Sequence, residues 1–140
     1  MYGNQPSVIA CVTSQYECDR IIEEAEQLAA EHDCELQVLS VLMPTENYAL
    51  IGDQLEYLNR VSKRAGADMT VIFSSNAPKA AVRFAKETNA FQIVAGIHDG
   101  GKESFLVQFN QLAPMISITM VDKNRNVYTM DVREKRGVIS

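Results

Sequence analysis

Gly96, Gly101 and Lys102 stand at the spacing G-x-x-x-x-G-K, inside the stretch VAGIHDGGKES of residues 94–104. That spacing belongs to loops whose backbone amides and lysine cradle nucleotide phosphates, with a hydroxyl directly after the lysine to hold magnesium. Here Glu103 follows the lysine and puts a carboxylate where phosphate oxygens would lie; Ser104 comes one place late. Such a loop also normally follows the first strand of its fold, and this one follows the fourth apolar segment. The magnesium-nucleotide reading is therefore set aside. The remaining features still suit an anion. Gly100 and Gly101 let backbone amides approach a ligand closely, the helix that follows offers its N-terminus, and Lys102 adds a positive charge. The plainer use of the same residues is a turn, with glycines for backbone shape and Asp99 as a helix cap. His98 can hydrogen-bond a ligand in the crevice or titrate near neutral pH, or simply be solvated.

Few other residues are arranged for chemistry. Cys11, Cys18 and Cys34 are an odd number without close pairing, which argues against a disulfide framework. Cys11 lies in an apolar run with no general base beside it and reads as a small core residue. His32 and His98 are far apart, and no Cys/His group has metal-ligand spacing, so neither a metal nor a catalytic residue is assigned. The 140 residues are 46% hydrophobic and 22% charged with a formal net charge of −5. This is the composition of one globular domain. Its acidity opposes binding to nucleic-acid backbones. No apolar run approaches the roughly 20 residues that span a bilayer, and MYGNQPS is not a signal peptide. The expected location is the cytoplasm.

The elements that must position these residues are visible in the hydrophobic pattern. VIACVT (8–13), ELQVLSVL (35–42), MTVIF (69–73), FQIVA (91–95) and MISITMV (115–121) are near-continuous apolar runs, as expected of strands buried on both faces. Between them, apolar residues recur three and four apart. The first helical stripe is Cys18, Ile21, Ile22, Ala25, Leu28 and Ala29, with Ser14 and Glu17 as a capping box. PTENYALIGD reads as a loop or a lid, followed by a stripe of Leu55, Leu58, Val61 and Ala65 that Gly66 ends. A third helix is capped by Ser75 or Asn76, has Pro78 in its first turn and closes at Asn89. The fourth carries Phe105, Phe109 and Leu112 and stops at Pro114. Glu23, Glu24 and Glu26 read as a solvated face.

Strands alternating with helices at this pitch imply right-handed βαβ units and parallel strands. The expected fold is a doubly wound parallel five-stranded sheet with helices on both faces, 1–140 forming one domain with its core at 8–121. Ligands of such sheets bind beyond the carboxyl ends of the strands where strand order reverses. That rule selects the loops after strands one and four. The candidate ligand-binding residues are Val12, Thr13, Ser14, Gly96, His98, Gly100, Gly101 and Lys102, with Val41 lining the crevice from strand two.

From Val8 to Val121 the chain resembles a universal stress protein domain. The resemblance rests on VIACVT leading into a helix, on QIVAG before a glycine-bearing loop, and on the ending LAPMISITMV. It is similar to the versions in the sensor region of KdpD-type potassium-sensing histidine kinases, although 140 residues leave no room for the kinase domains. Nucleotide-binding members of the family carry G-x-x-G, nine residues, then G-S or G-T. Counted from Gly96, the second glycine falls on Asp99, or on Gly100 with a one-residue slip. The G-S pair falls on Phe109–Asn110 or, with the slip, on Asn110–Gln111. The family's acidic residue after strand one corresponds to Thr13. The resemblance thus implies an adenine-nucleotide-hydrolase-like fold and a regulatory or interaction module. Its nucleotide site is degenerate and binds ATP weakly or not at all; no cofactor is required, and an adenine nucleotide, a cyclic dinucleotide or another small anion is the possible ligand. A weak nucleotide hydrolase is the lesser alternative, since it lacks a magnesium ligand and a base. An unidentified protein partner is implied.

The C-terminus departs from the family. After the polar DKNRN, VYTMDV alternates, with Tyr128, Met130 and Val132 on one side, and reads as a half-buried strand at 127–132. The short connection permits only an antiparallel neighbour. The segment either folds back on strand five or crosses to a second subunit, and in both cases a homodimer centred on residues 115–132 is expected.

Overall fold

The computed structural model describes residues 5–12, 18–44, 48–97 and 104–130. Thr13, Ser14, His98, Gly100, Gly101 and Lys102 lie outside them, as do Asp99, Glu103 and residues 131–140.

The described chain runs β1 (Ser7–Cys11), α1 (Asp19–Glu31), β2 (Glu35–Leu42), α2 (Tyr48–Arg64), β3 (Asp68–Phe73), α3 (Ala77–Glu87), β4 (Ala90–Gly96), α4 (Ser104–Leu112), β5 (Ser117–Val121) and β6 (Val127–Met130). One sheet takes the order β3-β2-β1-β4-β5-β6. Its first five strands are parallel, and β6 returns antiparallel to β5 with Val121 opposite Val127 and Ile118 opposite Met130. This is the doubly wound arrangement that the alternation of periods implies. Right-handed crossovers put α1 and α2 on one face and α3 and α4 on the other.

Each face has its own core. Ile21, Ile22, Ala25, Leu58 and Val61 pack over Val8, Ala10, Val12, Val38 and Val94. On the reverse side Ala81, Phe84, Ala85 and Phe109 cover Ile9, Leu39, Ile93 and Ile118. The strand residues alternate between the two lists because successive side chains leave a strand on opposite sides. Several polar side chains within the sheet are paired across strands. Ser7 Oγ donates to the Thr88 carbonyl at 2.9 Å. Gln92 donates to Thr119, whose hydroxyl also meets that of Thr129 at 3.2 Å, a ladder across β4, β5 and β6. No helix among the described residues is long and apolar enough to cross a membrane.

The helix stops match the sequence signals. Gly66 ends α2 at φ 76°, Asn89 follows α3 at φ 56°, and Asn76 caps α3 by accepting the Lys79 amide at 3.2 Å. Three boundaries and one burial pattern differ. Residues 48–53 are not a loop but the first turns of α2; Ile51 is buried and joins the stripe of Leu58 and Val61, so tertiary burial overrides the breaker at Gly52. Helix α1 begins at Asp19 with Cys18 as its N-cap and no side-chain cap, a turn later than a capping box at Ser14 and Glu17 would place it; those two residues lie outside the described ones. Strand β5 begins at Ser117, because Ala113 and Ile116 close a turn after α4 that leaves Met115 72% exposed. And β6 is exposed along its whole described length rather than half-buried, because it lies beyond the helices at the sheet edge.

Gly52 offers a clean test of the α2 boundary. A Cβ built there meets nothing within 4 Å, and glycine inside a helix costs about 0.5–1 kcal/mol relative to alanine. Gly52→Ala is expected to raise unfolding free energy by about that amount in urea titrations; a neutral or destabilising result would contradict a helix at this position.

Candidate functional site

The sheet order reverses between β1 and β4. The two strands pair with Cys11 opposite Ala95, and the chain then leaves β1 toward α1 on one face and β4 toward α4 on the other. The carboxyl ends stay zipped beyond the strands. The Val12 amide donates to the Leu39 carbonyl at 2.9 Å, and the Ile97 amide to that of Val121 at 3.0 Å. The carboxyl ends of β1 and β4 are where strand order reverses, and the loops that leave them, 13–17 and 98–103, lie outside the described residues.

Three of the candidate residues are described. Val12 is 4% exposed and packs in the core beneath α1. Gly96 is the last residue of β4 and faces the same helix. Val41 lies near the end of β2 but packs with the opposite core, against α3. The structure thus brings Val12 and Gly96 together under α1 and sets Val41 on the other side of the sheet. Gly96 has a packing reason to be glycine. A Cβ there would stand 3.0 Å from Cδ1 of Ile21 and 3.4 Å from Nη2 of Arg20.

That contact exposes a residue which periodicity alone passes over. Arg20 sits in the first turn of α1, is only 9% exposed, and lays its guanidinium against the end of β4. In the sequence it is one polar residue beside an apolar stripe; only the crossing of α1 over Gly96 brings it to the end of β4. The turn it belongs to is anchored from outside, since Tyr57 of α2 donates its hydroxyl to the Asp19 carboxylate. The bond, followed by desolvation, raises the Tyr57 pKa above its ordinary value.

The cysteines offer no nucleophile near neutral pH. Burial pushes the Cys11 thiol up to about 12. Cys18 rises to about 11, chiefly by burial and then by the charge of Asp19. No group of His, Cys, Asp and Glu suited to a metal ion occurs among the described residues. A cavity of about 520 Å³ lies at the other, amino end of the sheet, lined by Glu26, Glu35 and Asp68 together with Ala29, Ala30 and Ala65 near the ends of α1 and α2. Carboxylates and the negative ends of two helix dipoles make that cavity hostile to an anion.

No family model matches the chain. The sensor protein KdpD of Mycobacterium tuberculosis, strains CDC 1551 / Oshkosh and ATCC 25618 / H37Rv, is 28% identical over 89 residues, 64% of this chain. The chain spans only about a tenth (10%) of the length of these curated relatives. Among solved structures, a universal stress protein from Archaeoglobus fulgidus is 20% identical with a TM-score of 0.63, covering 83% of this chain and 92% of its own. The chain has the universal stress protein fold. A universal stress protein family member from Burkholderia pseudomallei superposes with a TM-score of 0.59 at 16% identity, over 84% of this chain and 96% of that one. A universal stress protein in complex with cAMP superposes at 0.61 with 19% identity, over 86% of this chain and 98% of that one. The expected resemblance and fold are both met, including the antiparallel strand added at the edge of the universal stress sheet.

If Gly96 is glycine because α1 crosses it, Gly96→Ala should destabilise the protein by about 1–3 kcal/mol, the usual cost of overpacking. The crowding atom is the tip of a side chain, so Ile21→Val should relieve it. The double variant is expected to be less destabilised than the sum of the two single ones by at least about 0.5 kcal/mol in denaturant titrations; simple additivity would separate Gly96 from Ile21.

Proposed function

We propose that this protein is a cytoplasmic regulatory or interaction module of the universal stress type. Its switch-point crevice takes a small anionic ligand weakly and binds ATP weakly or not at all, and its output passes through an unidentified protein partner. One observation carries the reading: in a universal stress fold, Gly96 turns toward Ile21 and Arg20 of α1 and is thereby committed to packing. The residue aligned with the family's acidic position is Thr13, without a carboxylate, and no G-S or G-T pair follows the loop. The high thiol pKa values of Cys11 and Cys18 supply no nucleophile for a hydrolase. The solved relative bound to cAMP favours an adenine nucleotide over other small anions as the class to test. KdpD similarity supports a sensory role, read through contact with another protein.

Calorimetry with ATP is expected to give a dissociation constant weaker than micromolar, less favourable than about −8 kcal/mol. A tighter constant would overturn the degenerate-site reading. Phosphate release from ATP should remain at the buffer rate.

The same proposal includes a homodimer through residues 115–132. The support is β6, which ends the sheet and leaves Val127 43%, Tyr128 50% and Met130 37% exposed, with Met115 exposed nearby. Apolar residues on both sides of an edge strand invite a second strand beside them. Sedimentation should find a dimer in the intact chain and a monomer once residues 123–140 are deleted. An intact chain that stays monomeric at high concentration would remove the dimer, and a truncated chain that pairs as well as the intact one would remove β6 from the interface.

A further inference from the structure

We propose that the acidic cavity at the amino end of the sheet is the docking groove for a C-terminal segment of the same chain, residues 133–139. This docking is independent of any ligand at the switch point.

The groove lacks a counter-charge. It has a volume of about 520 Å³ and lies between the ends of α1 and α2, over the start of β2. Ala29, Leu36 and Ala65, which belong to the core on that face, give it apolar walls. Glu26, Glu35 and Asp68 line it as well, and all three are exposed. Among the described residues, no ion pair or side-chain hydrogen bond engages these carboxylates. Helix C-termini favour nearby cations. α2 has Lys63 and Arg64 in its last turn, whereas α1 has no basic residue there and ends on Glu31. Apolar walls beside an unneutralised acidic rim suit a peptide that carries cations next to small apolar residues.

Residues 133–139, REKRGVI, have that composition. Arg133, Lys135 and Arg136 outnumber the single carboxylate of Glu134, and Gly137, Val138 and Ile139 follow. Their starting point fits too. β6 ends at Met130, opposite Ile118 near the start of β5, so the chain leaves the sheet at its amino end, where the groove lies. In the order β3-β2-β1-β4-β5-β6, β2 is four strands away from β6, roughly 19 Å at the usual strand spacing. Six extended residues span roughly 20 Å. That reach brings Arg136 to the carboxylates and Val138 to the alanines. Exposed ion pairs are weak singly, but a short tether holds the segment at about millimolar effective concentration. Contacts of millimolar affinity are then enough to half-fill the groove.

Cys34 lines the same groove with a free thiol, which allows a direct test on the full chain. Val138→Cys is oxidised with copper phenanthroline at low salt, and peptide mass spectrometry identifies the linked positions. The expected product is a disulfide between Cys34 and the thiol introduced at position 138 of the same chain, absent from the Cys34→Ser control. Combining Arg133→Glu, Lys135→Glu and Arg136→Glu should slow its formation about tenfold, the scale of three exposed ion pairs. Adding Glu26→Lys and Glu35→Lys should restore the rate. Molar salt should also slow the link, because exposed charges are screened. Absence of the Cys34 link, or a rate indifferent to both charge reversal and salt, overturns the proposal. A link formed only between chains overturns it too and gives the groove to a second copy.

Discussion

β1 and β4 exchange backbone hydrogen bonds side by side, and the chain leaves their carboxyl ends toward opposite faces of the sheet. Right-handed crossovers force that divergence. The route β1-α1-β2-α2-β3 must work outward in one direction, and the return through α3 must pass the other face to reach the far side of β1. Two layers of helix and two separate cores follow from it. A side chain placed on α1 can lean over the end of β4 because α4, the next described helix, packs on the opposite face. Arg20 and Gly96 meet there for that reason.

Most of this frame was legible in the residues. Runs such as VIACVT and FQIVA are apolar at every position because parallel strands are covered twice, and Gly66, Asn76 and Asn89 occupy the stops and caps that their backbone preferences predict. The errors share a cause. Local chemistry makes 48–53 a breaker-rich loop and Met115 part of an apolar run, whereas the burial of Ile51 and the exposure of Met115 decide otherwise. Ile51 is covered and draws α2 back across Gly52; Met115 has no cover and falls outside β5. Arg20 is the same problem in reverse. Its character as a buried cation depends on a helix crossing a strand some 76 positions later in the chain, between 20 and 96, which no short window contains. The loop glycines Gly100 and Gly101, with His98 and Lys102, fall outside the described residues, so the part of the crevice richest in motif is legible only as sequence.

Several polar side chains of the sheet serve strand alignment. Gln92, Thr119 and Thr129 bond side chain to side chain across three successive strands, and Ser7 ties β1 to the end of α3 through Thr88. A buried Gln and Thr without partners would cost more than their bonds contribute, so the ladder penalises any slip of β5 against β4. It also extends to β6, giving the hairpin a specific register despite its exposure. Arg125 of the intervening turn reaches Glu23 of α1 at 2.6 Å, but both side chains are more than half exposed and the pair adds little.

Because β6 runs antiparallel to β5, it carries the chain back to the end of the sheet at which β1 starts. Met130 lies opposite Ile118, one residue inside the start of β5, and Ser7 is bonded there to Asn89 just before β4. Ser7 and Met130 thus stand at the same, amino end of the parallel strands. A sheet of five parallel strands alone would deliver its last residue at the cleft rim. The added hairpin therefore returns the chain to the sheet end from which it set out.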